Sequence, residues 1–288
     1  MFSPDLPKCY EYFEKELLQA YDKREAAAIT KIVFKHVLKN RLLVGNMHGQ
    51  TLDLKQLDKI EWIHDGLMEM KPMAYLLGET EFLGLPIKVN KHVLIPRPET
   101  EELVVLTKAL MEEAGLTNGS VLDVGTGSGA IALALKKEMP MADVMGVDVS
   151  DEIIATCKLN AKLNNLSVFF KTLNILNEEE ASSLAMFDVI VSNPPYVLQT
   201  EREVMSQNVL DHEPDVALFV DGDNPFLFYD IILNLAKTKL KKGGFVSFEI
   251  NEFLKDEFED HLQEQNITDF EFKKDMSGKW RNLVVINL

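Results

Sequence analysis

Cysteine is nearly absent, with two in 288 residues, Cys9 and Cys157. Two isolated thiols give no disulfide framework, and nothing around them has metal-ligand spacing. A reducing compartment, the cytoplasm, is therefore expected, and no metal. Long apolar runs are missing too. No stretch approaches the roughly 20 residues of a membrane span. The N-terminal stretch carries Asp5, Glu11, Glu14 and Glu16 where a secretory signal would be apolar. Positive charge is also scarce: Lys and Arg number 30 against 46 Asp and Glu, a net charge of −16. Residues 1–90 hold 12 basic and 13 acidic side chains and residues 91–288 hold 18 and 33, so the second part carries −15 of that charge. A duplex-DNA enzyme needs a basic face to neutralise phosphates, and this balance favours a protein acceptor with no direct DNA contact. Acidic runs such as Glu178-Glu179-Glu180 read as solvated helix surface.

What is present suffices for a sizeable core and two domains, since 46% of the residues are hydrophobic. Over residues 6–76 apolar side chains recur at helical spacing, with Leu17, Leu18, Tyr21, Ile29, Ile32, Val33, Val37 and Leu38 expected on buried faces. Residues 46–49 break the pattern, and 52–57 and 62–70 resume it, which predicts a small helical bundle over 1–76. Residues 79–89 then read as a hairpin inside a linker of 77–92, leaving 93–288 as a second domain.

Glycine numbers only 15, yet three fall within five residues. The run Val121-Leu122-Asp123-Val124-Gly125-Thr126-Gly127-Ser128-Gly129-Ala130 reads as strand, glycine-rich turn and helix start. Alternating glycines let the backbone approach a ligand closely, and Ser128 and the helix N–H groups suit a carboxylate or phosphate. The spacing departs from the G-x-G-x-x-G dinucleotide fingerprint, which argues against nicotinamide or flavin. After a helix over 130–138, the apolar run Val144-Met145-Gly146-Val147 ends in Asp148. That acid accepts from two ribose hydroxyls, caps the helix opened by Ser150 and Asp151, or is a solvated loop residue.

A third apolar run, Phe187-Asp188-Val189-Ile190-Val191-Ser192, stops at Asn193-Pro194-Pro195-Tyr196. Neither proline donates to a ladder, and two in succession stiffen the turn. Stiffness aims atoms: the Asn193 side-chain oxygen and the Pro194 carbonyl form a pair of acceptors for a planar NH2 group, with the Tyr196 ring as a wall. By itself Asn-Pro-Pro is also ordinary turn chemistry. Together with the glycine loop and Asp148 it points to S-adenosylmethionine in a doubly wound sheet, with an amine acceptor at the fourth strand. Residues 197–224 lack periodicity and read as a lid or substrate loop, in which His212 is given a loop-ordering role rather than that of a base. A helix over 226–240 stopped by Gly243-Gly244, a strand over 245–250, a helix over 252–263 and an antiparallel pair, 269–273 with 283–286, complete the sheet.

The turn Asn193-Pro194-Pro195-Tyr196 resembles that of methyltransferases acting on amide or base nitrogens. The segment Leu94-Ile95-Pro96-Arg97-Pro98-Glu99-Thr100-Glu101-Glu102-Leu103 resembles, more narrowly, the HemK/PrmC family of peptide chain release factor glutamine methyltransferases. The likeness spans nearly the whole chain. It takes in Pro72, Tyr75, Gly78, Phe82 and Gly84, then His212-Glu213-Pro214, Ala217-Leu218 and Asp221-Gly222, and finally Asp275, Gly278 and Arg281. It implies an α/β fold: a seven-stranded Rossmann-like class I S-adenosylmethionine-dependent methyltransferase domain behind a helical bundle that helps hold the substrate protein. It implies class I release factors as partners, S-adenosylhomocysteine as product, Asn193, Pro194 and Tyr196 as catalytic residues, and Asn193 to Tyr196 as the substrate contact. Cofactor contacts fall at Gly125, Thr126, Gly127, Ser128, Gly129, Asp148, Asn174, Ile175 and Asn193. A monomer is expected. Asn174-Ile175 stands where the family often has an acid followed by an apolar residue, and Glu249-Ile250-Asn251 where it commonly has Glu-Ile-Gly. The competing functions are an adenine-N6 or other nucleic-acid amino-methyltransferase and a non-catalytic translation-factor binding module.

Overall fold

The computed structural model describes residues 2–39, 47, 49–204, 207–220, 222, 224–286 and 288. The expected break at 46–49 and loop over 197–224 lie partly outside the described residues. The chain divides into two compact units, Met1–Gly78 with Gln207–His212, and Glu79–Ser206 with Glu213–Leu288.

In the first unit, α1 (Leu6–Leu17), α2 (Lys23–Val37) and α3 (Leu54–Met68) each begin after an aspartate, Asp5, Asp22 and Asp53, whose side chain accepts from first-turn N–H groups. Those donors have no partner inside a helix, and the negative charge complements the positive end of the helix dipole. The short α4 (Met73–Leu77) ends at Gly78 in the left-handed conformation. Leu6, Cys9, Phe13 and Leu17 of α1 meet Ala26, Ile29, Val33, Phe34 and Val37 of α2 and Ile60, Ile63 and Leu67 of α3 in one core. Leu18 and Ile32 do not join it, being 50% and 41% exposed. Each stands one position from a buried residue, Leu17 or Val33, and so points about 100° away from the core face. Burial, with Glu61 nearby, pushes the Cys9 thiol up to about 11, which keeps it protonated and unreactive.

The second unit begins with an antiparallel hairpin of β1 (Glu79–Phe82) and β2 (Leu85–Lys88). It continues through α5 (Pro98–Glu113), β3 (Ser120–Val124), α6 (Ala130–Glu138), β4 (Asp143–Asp148), α7 (Asp151–Asn164), β5 (Phe169–Thr172), α8 (Glu178–Ser182) and β6 (Phe187–Ser192). After β7 (Val197–Leu198) and α9 (Gln207–His212), the latter counted with the first unit, come α10 (Asp215–Leu218), β8 (Phe219–Val220), α11 (Leu227–Lys239), β9 (Leu240–Glu249), α12 (Lys255–Glu264), β10 (Phe270–Lys274) and β11 (Trp280–Ile286). Seven strands form one sheet in the order β10-β11-β9-β6-β3-β4-β5. Neighbours from β9 to β5 are parallel, and β11 is antiparallel to β9 and β10. The order runs outward in both directions from β3, which makes the gap between β3 and β6 the topological switch point. Leu122, Val124, Val147 and Ile190 from the sheet pack with Tyr229, Ile232 and Leu233 of α11 and Phe258 of α12. Among the described residues no helix is long and apolar enough to cross a membrane.

Two expectations need correction. Residues 197–220 are not featureless: β7 pairs in parallel with β8, and Arg202 stacks on the Phe219 ring at 4.7 Å while its guanidinium lies 2.8 Å from Asp215. These contacts join residues too far apart for a local periodicity to register. Gly243-Gly244 is not a helix stop either, because α11 ends at Lys239 and both glycines lie in β9. There the pairing with β6 slips, from Phe187 opposite Leu240 to Val189 opposite Phe245. A Cβ on Gly244 would sit 2.3 Å from the Asp188 carbonyl oxygen, so this residue is glycine because two backbones touch. Gly244→Ala is expected to destabilise the protein by about 1–3 kcal/mol through that overlap. Urea titration measures the loss, and an unchanged midpoint would remove the close approach as its cause.

Candidate active site

Strand register assembles the site. Val124 lies opposite Val147 on one side and Ser192 on the other, and Ser192 lies opposite Phe248. The next residue on each strand, Asp148, Gly125, Asn193 and Glu249, therefore emerges in one row at the carboxyl edge. The Ser192 hydroxyl donates to the Val124 carbonyl at 2.7 Å and fastens the two central strands just below that row. Ligands of doubly wound sheets collect there.

The glycine loop folds back over β4. Gly125 and Thr126 both donate their N–H to the Val147 carbonyl at 3.0 Å, and Gly127 donates to Asp148 Oδ2 at 2.8 Å. Gly127 and Gly129 have φ of +54° and +82°, values that suit glycine. Asp148 Oδ1 accepts from the Val149 N–H at 2.8 Å, so each oxygen has one backbone donor and keeps acceptor capacity for a ligand. Burial raises its pKa and the two amides oppose the rise. The cap of α7 is Ser150, which removes the N-cap alternative for Asp148. Ser128 is buried and its carbonyl accepts from Asn160, while the Thr126 hydroxyl is spent on Asp123. Cys157 places its thiol 3.0 Å from the Gly127 carbonyl, under the loop. Burial first, then the charges of Asp148 and Asp123, push that thiol far up.

Asp123 is fully buried inside β3. Its Oδ2 accepts from the Thr126 hydroxyl at 2.5 Å and the Ala132 N–H at 3.2 Å, whereas Oδ1 has no hydrogen-bond partner among the described residues. An orphaned carboxylate oxygen in a buried position is costly unless a ligand supplies a donor. Burial pushes its pKa up to about 7 against these two hydrogen bonds.

At the end of β6, Asn193 Nδ2 donates to Thr100 Oγ1 at 3.1 Å, and the Thr100 hydroxyl donates to Glu249 Oε2 at 2.6 Å. The Tyr196 hydroxyl reaches Glu249 Oε1 at 3.4 Å, and the Tyr229 hydroxyl donates to the Glu249 carbonyl at 2.9 Å. Asn193 Oδ1 meets no donor among the described residues. Pro194 is buried, and Pro195 and Tyr196 are partly so. Burial drives the Tyr196 phenol far up, and Glu249 adds to the rise.

Asn174 is turned to its own loop, whereas Ile175 faces the sheet core. Asn174 Oδ1 accepts from the Leu176 N–H at 3.0 Å, its N–H donates to Glu180 at 2.9 Å, and Ile175 packs against the sheet core. His212 ends α9, in the unit of the helical bundle. Its neighbour Glu213 is the buried residue of that pair, 2.6 Å from the Arg97 guanidinium.

A family model for the methyltransferase small domain matches residues 103–223. A release factor glutamine methyltransferase of Flavobacterium psychrophilum is 41% identical over 278 residues, covering 95% of this chain and 96% of that one. Those of Streptococcus pneumoniae and Bacteroides thetaiotaomicron are each 35% identical, covering 97% and 94% of this chain and 98% and 96% of theirs. The chain belongs to the release factor glutamine methyltransferase family. Among solved structures, the hMettl16 catalytic domain bound to a MAT2A 3'UTR hairpin aligns with a TM-score of 0.56 at 14% identity, over 90% of each chain. The 16S rRNA methyltransferase RsmC of T. Thermophilus, solved with AdoMet and guanosine, aligns at 0.50 and 22%, over 73% of this chain and 50% of its own. Both likenesses concern the fold alone, and the seven-stranded sheet is the expected methyltransferase sheet.

In this release factor glutamine methyltransferase family member, three buried groups near the site escaped the sequence reading: Asp123 inside β3, Thr100 in the first turn of α5 and Glu249 at the end of β9. A usable signal existed for the two acids, since each interrupts an apolar strand run, where charge is expensive without a purpose. Thr100 offered none, because its partners lie 93 and 149 residues away. Because the folded-state pKa of Asp123 is raised, its contribution to stability is fullest below the ordinary value of 3.8 and is lost as pH rises towards about 7. Asp123→Asn is therefore expected to stabilise the ligand-free protein, with a gain over the parent that widens from about pH 4 to about pH 7 and levels off above it. Parallel melting curves track the gap, and a constant gap would count against ionisation of this carboxyl.

Proposed function

We propose that the protein transfers a methyl group from S-adenosylmethionine to the side-chain amide nitrogen of the glutamine in the Gly-Gly-Gln loop of class I peptide chain release factors, releasing S-adenosylhomocysteine. One observation carries this function: the Asn193 amide nitrogen is committed to Thr100, which leaves Oδ1 as a free acceptor at the switch point. The donor set fits the cofactor. The orphaned Asp123 Oδ1 suits the ammonium of its amino-acid tail, the free lone pairs of Asp148 suit the ribose hydroxyls, and Gly125 to Gly129 allow close backbone approach. When bound, S-adenosylmethionine supplies an electrophilic methyl on a sulfonium sulfur.

An amide nitrogen is a poor nucleophile because its lone pair is delocalised into the carbonyl. Asn193 Oδ1 and the Pro194 carbonyl accept its two N–H groups, which raises electron density on nitrogen and fixes its direction of approach. Tyr196 walls the carboxamide and keeps water from it. Orientation of this kind is worth on the order of 7–11 kcal/mol in the best cases. Once methylated, the nitrogen loses its proton readily, so no strong base is needed and His212 receives no chemical role. We assign residues 1–76 to holding the release factor, 77–92 to the link and 93–288 to catalysis. In support, Leu54 and Trp62 of α3 are 78% and 57% exposed. We read the enzyme as a cytoplasmic monomer without direct DNA contact, in keeping with its net charge of −16.

Incubation with labelled S-adenosylmethionine and either a release factor or methyl-free DNA tests this function, with label expected on the loop glutamine. Label on DNA alone would replace it with the nucleic-acid reading. Asn193→Ala is expected to lower the single-turnover rate by roughly 10²–10³-fold in a folded protein. Equal rates would refute the paired-acceptor chemistry. Asp148→Ala is expected to weaken cofactor binding by about 1.5–3 kcal/mol, read by calorimetry. An unchanged affinity would remove Asp148 from the ribose site.

A further inference from the structure

We infer that Glu249 and Thr100 are positioning residues: by a one-way relay of hydrogen bonds they hold the Asn193 carboxamide with its oxygen, not its NH2 group, towards the substrate. The inference rests on the proposed amide chemistry of Asn193 and assigns its control to two side chains that touch neither substrate nor cofactor.

Proton count fixes the direction of the relay. A carboxylate has no proton to give, and a threonine hydroxyl has one. The 2.6 Å contact of Thr100 Oγ1 with Glu249 Oε2 uses that proton, so the same oxygen can only accept from Asn193, 3.1 Å away. The side of the Asn193 carboxamide that faces Thr100 must then be its NH2 group. Turned over, the carboxamide would set its oxygen against the lone pairs of Thr100 and its NH2 against the NH2 of the substrate, two repulsions at once. A carboxamide alone has little preference between these two orientations, because oxygen and NH2 have nearly the same shape. The relay supplies the preference.

Its surroundings protect it. Thr100 is 5% exposed and Glu249 2%, so water has little access to replace either contact. The Tyr229 hydroxyl holds the Glu249 carbonyl at 2.9 Å, and Tyr196, the last residue of the prolyl turn, reaches the second carboxylate oxygen at 3.4 Å. One carboxylate thus steadies both ends of the turn from Asn193 to Tyr196. Burial raises its pKa, while the Thr100 and Tyr196 hydroxyls and the Arg281 guanidinium favour the ionised form that the relay requires.

The test is steady-state and single-turnover kinetics of Thr100→Val, Thr100→Ser and Glu249→Gln with a release factor and S-adenosylmethionine, alongside melting curves. Thr100→Val keeps the shape and removes the relay. It is expected to lower kcat by roughly 10–100-fold, with KM for both substrates within about twofold of the parent. Thr100→Ser restores the hydroxyl and is expected to recover kcat to within about threefold. Glu249→Gln, whose NH2 can donate to Thr100 and release its proton towards Asn193, is expected to match Thr100→Val. If Glu249→Gln does not fold, the threonine pair decides. A folded Thr100→Val with parental kcat, a loss confined to KM, or a Thr100→Ser as slow as Thr100→Val would overturn the inference. A parent enzyme that leaves release factors unmethylated would instead overturn the proposed reaction.

Discussion

The alignment of strand ends across the parallel sheet is the constraint on which the rest depends. Asp148, Gly125, Asn193 and Glu249 come from four strands, yet each is the first residue past one register line, which the Ser192 hydroxyl bond to Val124 fastens at its centre. A shift of one residue in any of these strands would exchange its two faces and withdraw its residue from the row. The site is therefore as rigid as the sheet, and the loops above it add walls and cover rather than alignment.

That edge concentrates buried acid. Asp123, Asp148 and Glu249 all carry pKa values raised by burial, in a unit that is already strongly acidic. Each is held by donors: Thr126 and Ala132 for Asp123, two backbone amides for Asp148, two hydroxyls for Glu249. What differs is the acceptor capacity left over. Asp123 and Asp148 keep unused lone pairs, whereas both Glu249 oxygens are engaged by other side chains.

Much of this was legible in the order of residues. The strand that ends at Asn193, the glycine loop and the helix over 130–138 are written in local patterns: apolar runs, prolines without N–H groups, glycines at left-handed positions. Contacts closed over long separations were not. Thr100 looks like an ordinary first-turn threonine until β9 brings Glu249 to it, and Gly243-Gly244 imitates a helix stop because a close backbone approach and a C-cap demand the same residue. Leu18 and Ile32 failed for a smaller reason, a single step of helical rotation.

The parallel pairing of Val197–Leu198 with Phe219–Val220 closes the excursion after the prolyl turn at its base. Entry and exit of that excursion are stapled together, so its contour is decoupled from the strand that feeds it. Insertions or deletions between 199 and 218 would be absorbed beyond the staple, leaving the turn from Asn193 to Tyr196 where the sheet holds it.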